Sequence, residues 1–195
     1  VIHKVFKSIN KLSGRSSPID LLMILISNKI RYVFILVLIF MWFRNDFYRK
    51  LSYNAMISVG ITLLINTLIK LFYFKPRPFM QRHVGILTPS KIDSSFPSKH
   101  TLLAFAVSTS VFLCERVLGS IMLVLSGLTG LSRIWVRHHY PSDVIGSALI
   151  GTVTSIILEK NVWKLRNSFR EKALEIVSNI IIKMKNKVSR NLDIK

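Results

Sequence analysis

Residues 55–74 form one apolar run, interrupted on a single face by Asn66 and Lys70. A helix of about twenty such residues is what crosses the hydrocarbon core of a bilayer. Inside a bilayer every backbone N–H and C=O must be paired within the segment, so a run of this kind has few options other than helix. Shorter apolar segments at 32–43, 98–114, 118–135 and 142–158 are bounded by basic or polar residues. Residues 19–28, following Pro18, are too short for an ordinary span and read as a thin, oblique or re-entrant piece. Ser126 with Gly130, and Ser147 with Gly151, place small residues four apart, a spacing that lets membrane helices approach closely. The expected fold is all-α: a polytopic membrane bundle of about six transmembrane helices.

Charge supports this reading. The chain is 50% hydrophobic yet carries a formal net charge of +19, a combination that suits basic ends flanking apolar spans. Nucleic-acid binding is disfavoured, because the bases surround apolar runs and are not gathered on a soluble module. Residues 1–16 place Ile2, Phe6, Ile9 and Leu12 at helical spacing among lysines, as in an amphipathic helix at an interface. They show neither the apolar core nor the cleavage site of a signal peptide. From residue 159 the chain has no Gly or Pro, and apolar residues recur every three or four positions. A basic amphipathic tail helix is expected there, on an anionic membrane surface or in a solvated or dimer-forming role. The domain division is therefore 1–160 for the membrane domain and 161–195 for the tail. Cys114 is the sole cysteine, so no internal disulfide exists.

Three short patterns carry chemistry: Lys70-x6-Arg77-Pro78, Pro97-Ser98-Lys99-His100, and Ser132-Arg133-x5-His139-x3-Asp143. They gather cations, a hydroxyl, two histidines and one carboxylate, an inventory suited to an anionic substrate attacked by a histidine. Lys70 alone reads equally well as a snorkelling lysine. Arg77 lies between two prolines that stiffen its backbone, and a guanidinium suits bidentate phosphate binding. Ser98 alone is an N-cap, but the helix start it marks offers free N–H groups to an anion. Asp143, four residues after His139, is placed to keep one imidazole nitrogen protonated and leave the other free to attack. Arg133 brings another guanidinium beside that histidine. Placing both termini in the cytoplasm leaves Lys70, Lys75, Arg77, Arg82, Lys91, Lys99, Arg133 and Arg137 outside, a surplus that an anionic ligand explains.

Together these patterns resemble the three-part signature of the type 2 phosphatidic acid phosphatase superfamily. Within it, Arg77-Pro78-Phe79, Arg133-Ile134-Trp135-Val136 and His138-His139-Tyr140-Pro141 are similar to the bacitracin-resistance undecaprenyl-diphosphate phosphatases of Gram-positive bacteria. The likeness covers most of residues 1–160. One departure is Lys99, where the family usually has glycine; it either points away or joins the site as an extra cation for a diphosphate.

The resemblance implies the following roles. Lys70, Arg77, Ser98, the Lys99 and His100 amides, and Arg133 hold the terminal phosphoryl group. His139 attacks phosphorus and forms a phosphohistidine, Asp143 fixes its tautomer, and His100 protonates the leaving oxygen. His138 is a neighbour of the nucleophile. No metal and no cofactor are expected, since guanidinium and ammonium groups supply the charge. The expected partners are a polyprenyl diphosphate lipid and membrane lipids. The expected place is the plasma membrane, with an extracellular-facing site. A glycerolipid phosphatase, acting on phosphatidylglycerol phosphate or diacylglycerol diphosphate, remains open, as does a lipid transporter or flippase. Vanadium haloperoxidases share the anion-binding pattern but are soluble.

Overall fold

A computed structural model describes residues 9, 12–14, 16–81, 87, 93–161 and 164. The chain divides into two units, Val1–Ile157 and Leu158–Lys195. The amphipathic helices expected for 1–16 and beyond 159 lie largely outside the described residues. Those residues form helices α1 (Ser17–Arg44), α2 (Asp46–Phe72), the short α3 (Pro78–Gln81), α4 (Lys99–Cys114) and α5 (Arg116–Trp135), followed by α6 (Pro141–Asn161). Four of these, α1, α2, α5 and α6, are long and apolar enough to cross a membrane, and α4 is a shorter apolar helix.

The all-helical membrane bundle is as expected, but the count of spans differs. Segments 19–28 and 32–43 are one helix, α1, so the apolar helices number five among the described residues. The intervening Asn28-Lys29-Ile30-Arg31 is polar but contains neither Gly nor Pro. Nothing there interrupts the i→i−4 ladder, and charge by itself does not end a helix. With an odd number of apolar helices, the start of α1 and the end of α6 no longer share one end of the bundle. Ser13 Oγ donates to the Trp135 carbonyl at 2.9 Å and Trp135 Nε1 donates to Asp20 at 2.7 Å. The chain therefore enters α1 at the end where α5 finishes and α6 begins.

At the opposite end the turns are tight. Asn45 alone separates α1 from α2 and caps α2, its Oδ1 accepting from Tyr48 N at 3.0 Å. Glu115 alone separates α4 from α5 and caps α5 by accepting from Val117 N at 3.1 Å. That hairpin depends on Gly119, where a Cβ would come within 2.2 Å of the Phe112 backbone.

Phe34, Met41, Leu51, Ala55, Val107, Val111 and Met122 form the apolar core between α1, α2, α4 and α5. Nearer the middle, hydroxyls pair across helices: Ser58 with Ser155 at 2.6 Å and Ser108 with Ser126 at 2.7 Å. Such pairing satisfies polar groups that lipid cannot. Large apolar side chains including Leu21, Leu64, Phe72 and Val124 face outward, as a lipid-facing surface requires. Both small-residue pairs act as expected. A Cβ on Gly151 would meet the Leu102 carbonyl at 2.4 Å, and one on Gly130 would meet Val144 at 2.6 Å. These glycines draw α6 against α4 and α5 and bring the ends of those helices together.

Candidate active site

The three sequence patterns converge at the end of the bundle where α2 and α5 finish and α4 and α6 begin. Lys70 occupies the last turn of α2. Lys75 to Pro78 leave it as a segment without regular structure until α3 starts at Pro78. Residues 93–98 lead into α4, and the Phe96–Pro97 peptide bond is cis. The turn Val136–Tyr140 joins α5 to α6 and is pinned to the end of α5, because the Arg133 carbonyl accepts from His138 N at 3.1 Å and His139 N at 3.3 Å.

His139 is almost fully enclosed, 2% exposed. Its Nδ1 lies 2.6 Å from the backbone carbonyl of Ser95. A carbonyl oxygen can only accept, so Nδ1 carries the proton, and in the neutral ring Nε2 keeps its lone pair. Burial, then the charges of Arg133 and Arg77, push the ring's pKa well below the usual 6.5, outweighing the Ser95 carbonyl. The result is a neutral imidazole of fixed tautomer beside two guanidiniums.

The expected direct pairing of Asp143 with His139 is not the one found. Asp143, with 0% exposure, accepts from the Ser95 hydroxyl, from Lys75 Nζ and from Tyr140 N at 3.2 Å. It reaches the histidine one residue removed, by holding the serine whose carbonyl orients the ring. The physical reason is helical: Asp143 opens α6 and turns toward its own N-terminal amide at Tyr140, where a carboxylate is stabilised.

Lys70 and Arg77 converge as expected, and on an anion. Both hold Asp93: Lys70 Nζ at 3.0 Å, Arg77 through one guanidinium nitrogen to the carboxylate, and Arg77 Nε to the Asp93 carbonyl at 3.3 Å. Partial burial would raise the Asp93 pKa, but the Lys70 hydrogen bond and the Arg77 charge outweigh it and hold the carboxyl below its usual 3.8.

Arg133 is buried, with NH1 donating to Ser27 Oγ at 2.7 Å and Nε without a hydrogen-bond partner among the described residues. Its charge acts on both His139 and His100. Ser98, expected to hold phosphate, is instead fully buried at the N-cap position of α4, and its side chain makes no capping hydrogen bond. Its amide donates to Ser147 at 2.7 Å and its hydroxyl pairs with Thr101 at 3.1 Å. His100 and Lys99 open α4, and both border a cavity that Arg31 of α1 also lines. No group of three or more His, Cys, Asp or Glu among the described residues is arranged to hold a metal ion.

Sequence reasoning counted Lys75 only among the outer cations and gave no site role to Ser95, Asp93 or Arg31. Asp93 had a signal, being the sole acid in the 75–97 loop amid cations. Lys75 shares the proline-stiffened segment that singled out Arg77. Ser95 had none, because its part is played by a backbone carbonyl, which any residue possesses.

The model for the PAP2 superfamily matches residues 51–167, which includes all three patterns. An undecaprenyl-diphosphatase BcrC of Bacillus subtilis is 39% identical over 156 residues, covering 80% of this chain and 81% of its own. A bacitracin transport permease protein BcrC of Bacillus licheniformis is 29% identical over 93% of this chain and 91% of its own. Among solved structures, Aquifex aeolicus LpxE superposes with a TM-score of 0.69 at 28% identity, covering 80% of this chain and 93% of that one. A PAP2-type phosphatidylglycerolphosphate phosphatase of Bacillus subtilis shares the fold, with a TM-score of 0.66 at 19% identity over 84% and 87% of the two chains. Sequence patterns, helical architecture and relatives agree, and the chain belongs to the PAP2 superfamily.

Proposed function

We propose that this chain is an integral-membrane phosphatase that hydrolyses undecaprenyl diphosphate to undecaprenyl phosphate and inorganic phosphate. The observation that carries the chemistry is the buried His139, whose Nδ1 on the Ser95 carbonyl leaves the lone pair on Nε2, in a ring under the charges of Arg133 and Arg77. The likeness to the Bacillus subtilis diphosphatase supports the choice of lipid.

The reaction follows from the positions. Lys70 and Arg77, which here share one carboxylate, hold the terminal phosphoryl group, with Arg133 and the first amides of α4. Nε2 of His139 forms a bond to phosphorus as the bond from phosphorus to the bridging oxygen breaks. The bridging oxygen leaves as the lipid monophosphate, with His100 supplying its proton. His100 then takes a proton from water, whose oxygen attacks phosphorus as the P–N bond breaks. Phosphate departs and His139 regains its starting form. Lys75 neutralises Asp143, so the Ser95 segment stays in place without adding negative charge near an anionic substrate. Phosphoryl transfer of this kind rests on positioning and charge neutralisation.

The site faces outward from the cell membrane in this reading. The ten Lys/Arg from residue 159 onward, set against four acids, favour the cytoplasmic side for the tail. The activity returns the carrier lipid of cell-wall synthesis to its monophosphate form, which accounts for bacitracin resistance. A glycerolipid phosphatase uses the same residues on a different lipid. Transport without hydrolysis leaves the enclosed His139 without a task.

The test is phosphate release from undecaprenyl diphosphate by purified protein in EDTA, wild type against His139→Ala. Release by wild type and its loss in the variant is expected. Equal release by both would remove His139 from the chemistry. A folded but inactive wild type would move the reading to glycerolipids and then to transport.

A further inference from the structure

Arg31 lies at the middle of α1, far from either end of a helix long enough to span a membrane. A cation at that depth is costly, and such residues commonly mark a polar pathway or ligand site. Among the described residues its guanidinium meets the hydroxyl and ring of Tyr32, at 3.2 Å and 5.0 Å, and no carboxylate pairs with it. The side chain is exposed, yet its charge acts on His100 and on Arg133. Lys99, likewise exposed, has no ion pair among the described residues and sits beside His100.

These three residues border one cavity of about 390 Å³ between α1, α2 and α4. Apart from Thr129 of α5 its remaining wall is apolar, with Phe34, Leu38 and Val107 running toward the bundle core. One end is thus doubly cationic and holds His100, and the other is greasy. That polarity matches one class of occupant: a lipid whose headgroup has a second phosphate between the reacting phosphoryl group and an unsaturated hydrocarbon chain.

On the reading that this chain is a lipid phosphatase, we infer that Arg31 and Lys99 bind the lipid-side phosphate of a diphosphate and so select diphosphates over monophosphates. A monophosphate fills the His139 end only and leaves both cations idle. A diphosphate engages them, and the two cations neutralise the charge that builds on the departing monophosphate oxygen. Lys99 then stands in place of the usual glycine because its side chain serves the second phosphate, while its backbone still opens α4.

The test compares kcat/KM for farnesyl diphosphate and farnesyl monophosphate in detergent, for wild type, Arg31→Gln, Arg31→Lys, Lys99→Gly and His139→Ala. The diphosphate-to-monophosphate ratio is expected to fall about tenfold in Arg31→Gln and in Lys99→Gly, the scale of one charged hydrogen bond, and to recover in part in Arg31→Lys. A ratio unchanged from wild type in both neutral variants, with His139→Ala inactive, overturns this inference and leaves the phosphatase reading intact. Absence of activity in folded wild type on either lipid overturns both. Should Arg31→Gln fail to fold, the Lys99→Gly ratio and the competition of pyrophosphate against orthophosphate in wild type decide. Pyrophosphate no more potent than orthophosphate would count against a second-phosphate site.

Discussion

His139 donates its Nδ1–H to the carbonyl of Ser95 at 2.6 Å, and the hydroxyl of that same serine is held by Asp143. Histidine orientation in this site is therefore set by main chain, with the carboxylate acting through it. The arrangement distributes one task over two residues 48 positions apart. It also gives Asp143 a second task, neutralising Lys75.

The chain of contacts predicts graded losses. Ser95→Ala keeps the carbonyl and removes only the hydroxyl bound by Asp143, so kcat is expected to fall about tenfold. Asp143→Asn leaves Lys75 unpaired as well and is expected to cost more, about a hundredfold. Both should remain measurable where His139→Ala, which removes the nucleophile, loses at least about a thousandfold. Steady-state phosphate release from the three variants orders them. Asp143→Asn as damaging as His139→Ala, with Ser95→Ala silent, would show the carboxylate acting on the imidazole directly.

The pH dependence follows from the buried ring. His139 has its pKa pushed well below 6.5 by burial and by Arg133 and Arg77, and the attacking form is neutral. The acidic limb of kcat/KM, which reports the free enzyme, is expected well below pH 6.5. Stability has the same sign. The unfolded ring binds a proton near its ordinary pKa while the folded ring does not, so acidification below about pH 6.5 destabilises the fold. Thermal unfolding in detergent from pH 7.5 to 5 should show a falling midpoint, with a smaller fall in His139→Asn. An acidic limb centred above pH 6.5 would show that the ring is not desolvated.

Asp93 occupies the cations that the proposed chemistry needs, so it competes with phosphate for Lys70 and Arg77. Removing a competing anion raises the fraction of protein ready to bind, and apparent affinity rises in proportion. Asp93→Ala is expected to lower the inhibition constant for inorganic phosphate by about threefold to tenfold. Inhibition that weakens instead would mean that Asp93 positions the two cations and does not occlude them.

Close helix approach at Gly151 sets a packing prediction. A methyl group there meets the Leu102 carbonyl at 2.4 Å, backbone that cannot swing aside as a side chain can. Gly151→Ala is expected to destabilise the bundle by roughly 2 kcal/mol, the scale of overpacking. Gly127, with nothing within 4 Å of its would-be Cβ, is the control, and Gly127→Ala should be neutral or slightly stabilising. Thermal melts in one detergent compare them, and equal midpoints would remove Gly151 as a contact point.

Much of the fold was legible in the sequence because apolar length and spacing are one-dimensional signals. A run such as 55–74 has to become helix in a bilayer whatever surrounds it. Ser147 and Gly151 announced close packing by their spacing alone. The three patterns named Lys70, Arg77, His100, Arg133, His139 and Asp143 because their chemistry is unusual beside apolar runs. Where the reading failed, it had taken polarity for a boundary. Asn28 to Arg31 divided α1 on paper, but a helix ends where hydrogen bonding is interrupted, and these residues interrupt none.

Partnership was decided by tertiary structure alone. Ser95 meets His139 across 44 positions and Lys75 meets Asp143 across 68. Arg31 reaches the neighbourhood of His100 only because α1 packs beside α4. Spacing along a chain fixes which residues share a helix face. Which loop carbonyl reaches a buried ring depends on how several helices close on one another, and a short-range sequence pattern holds no record of that distance.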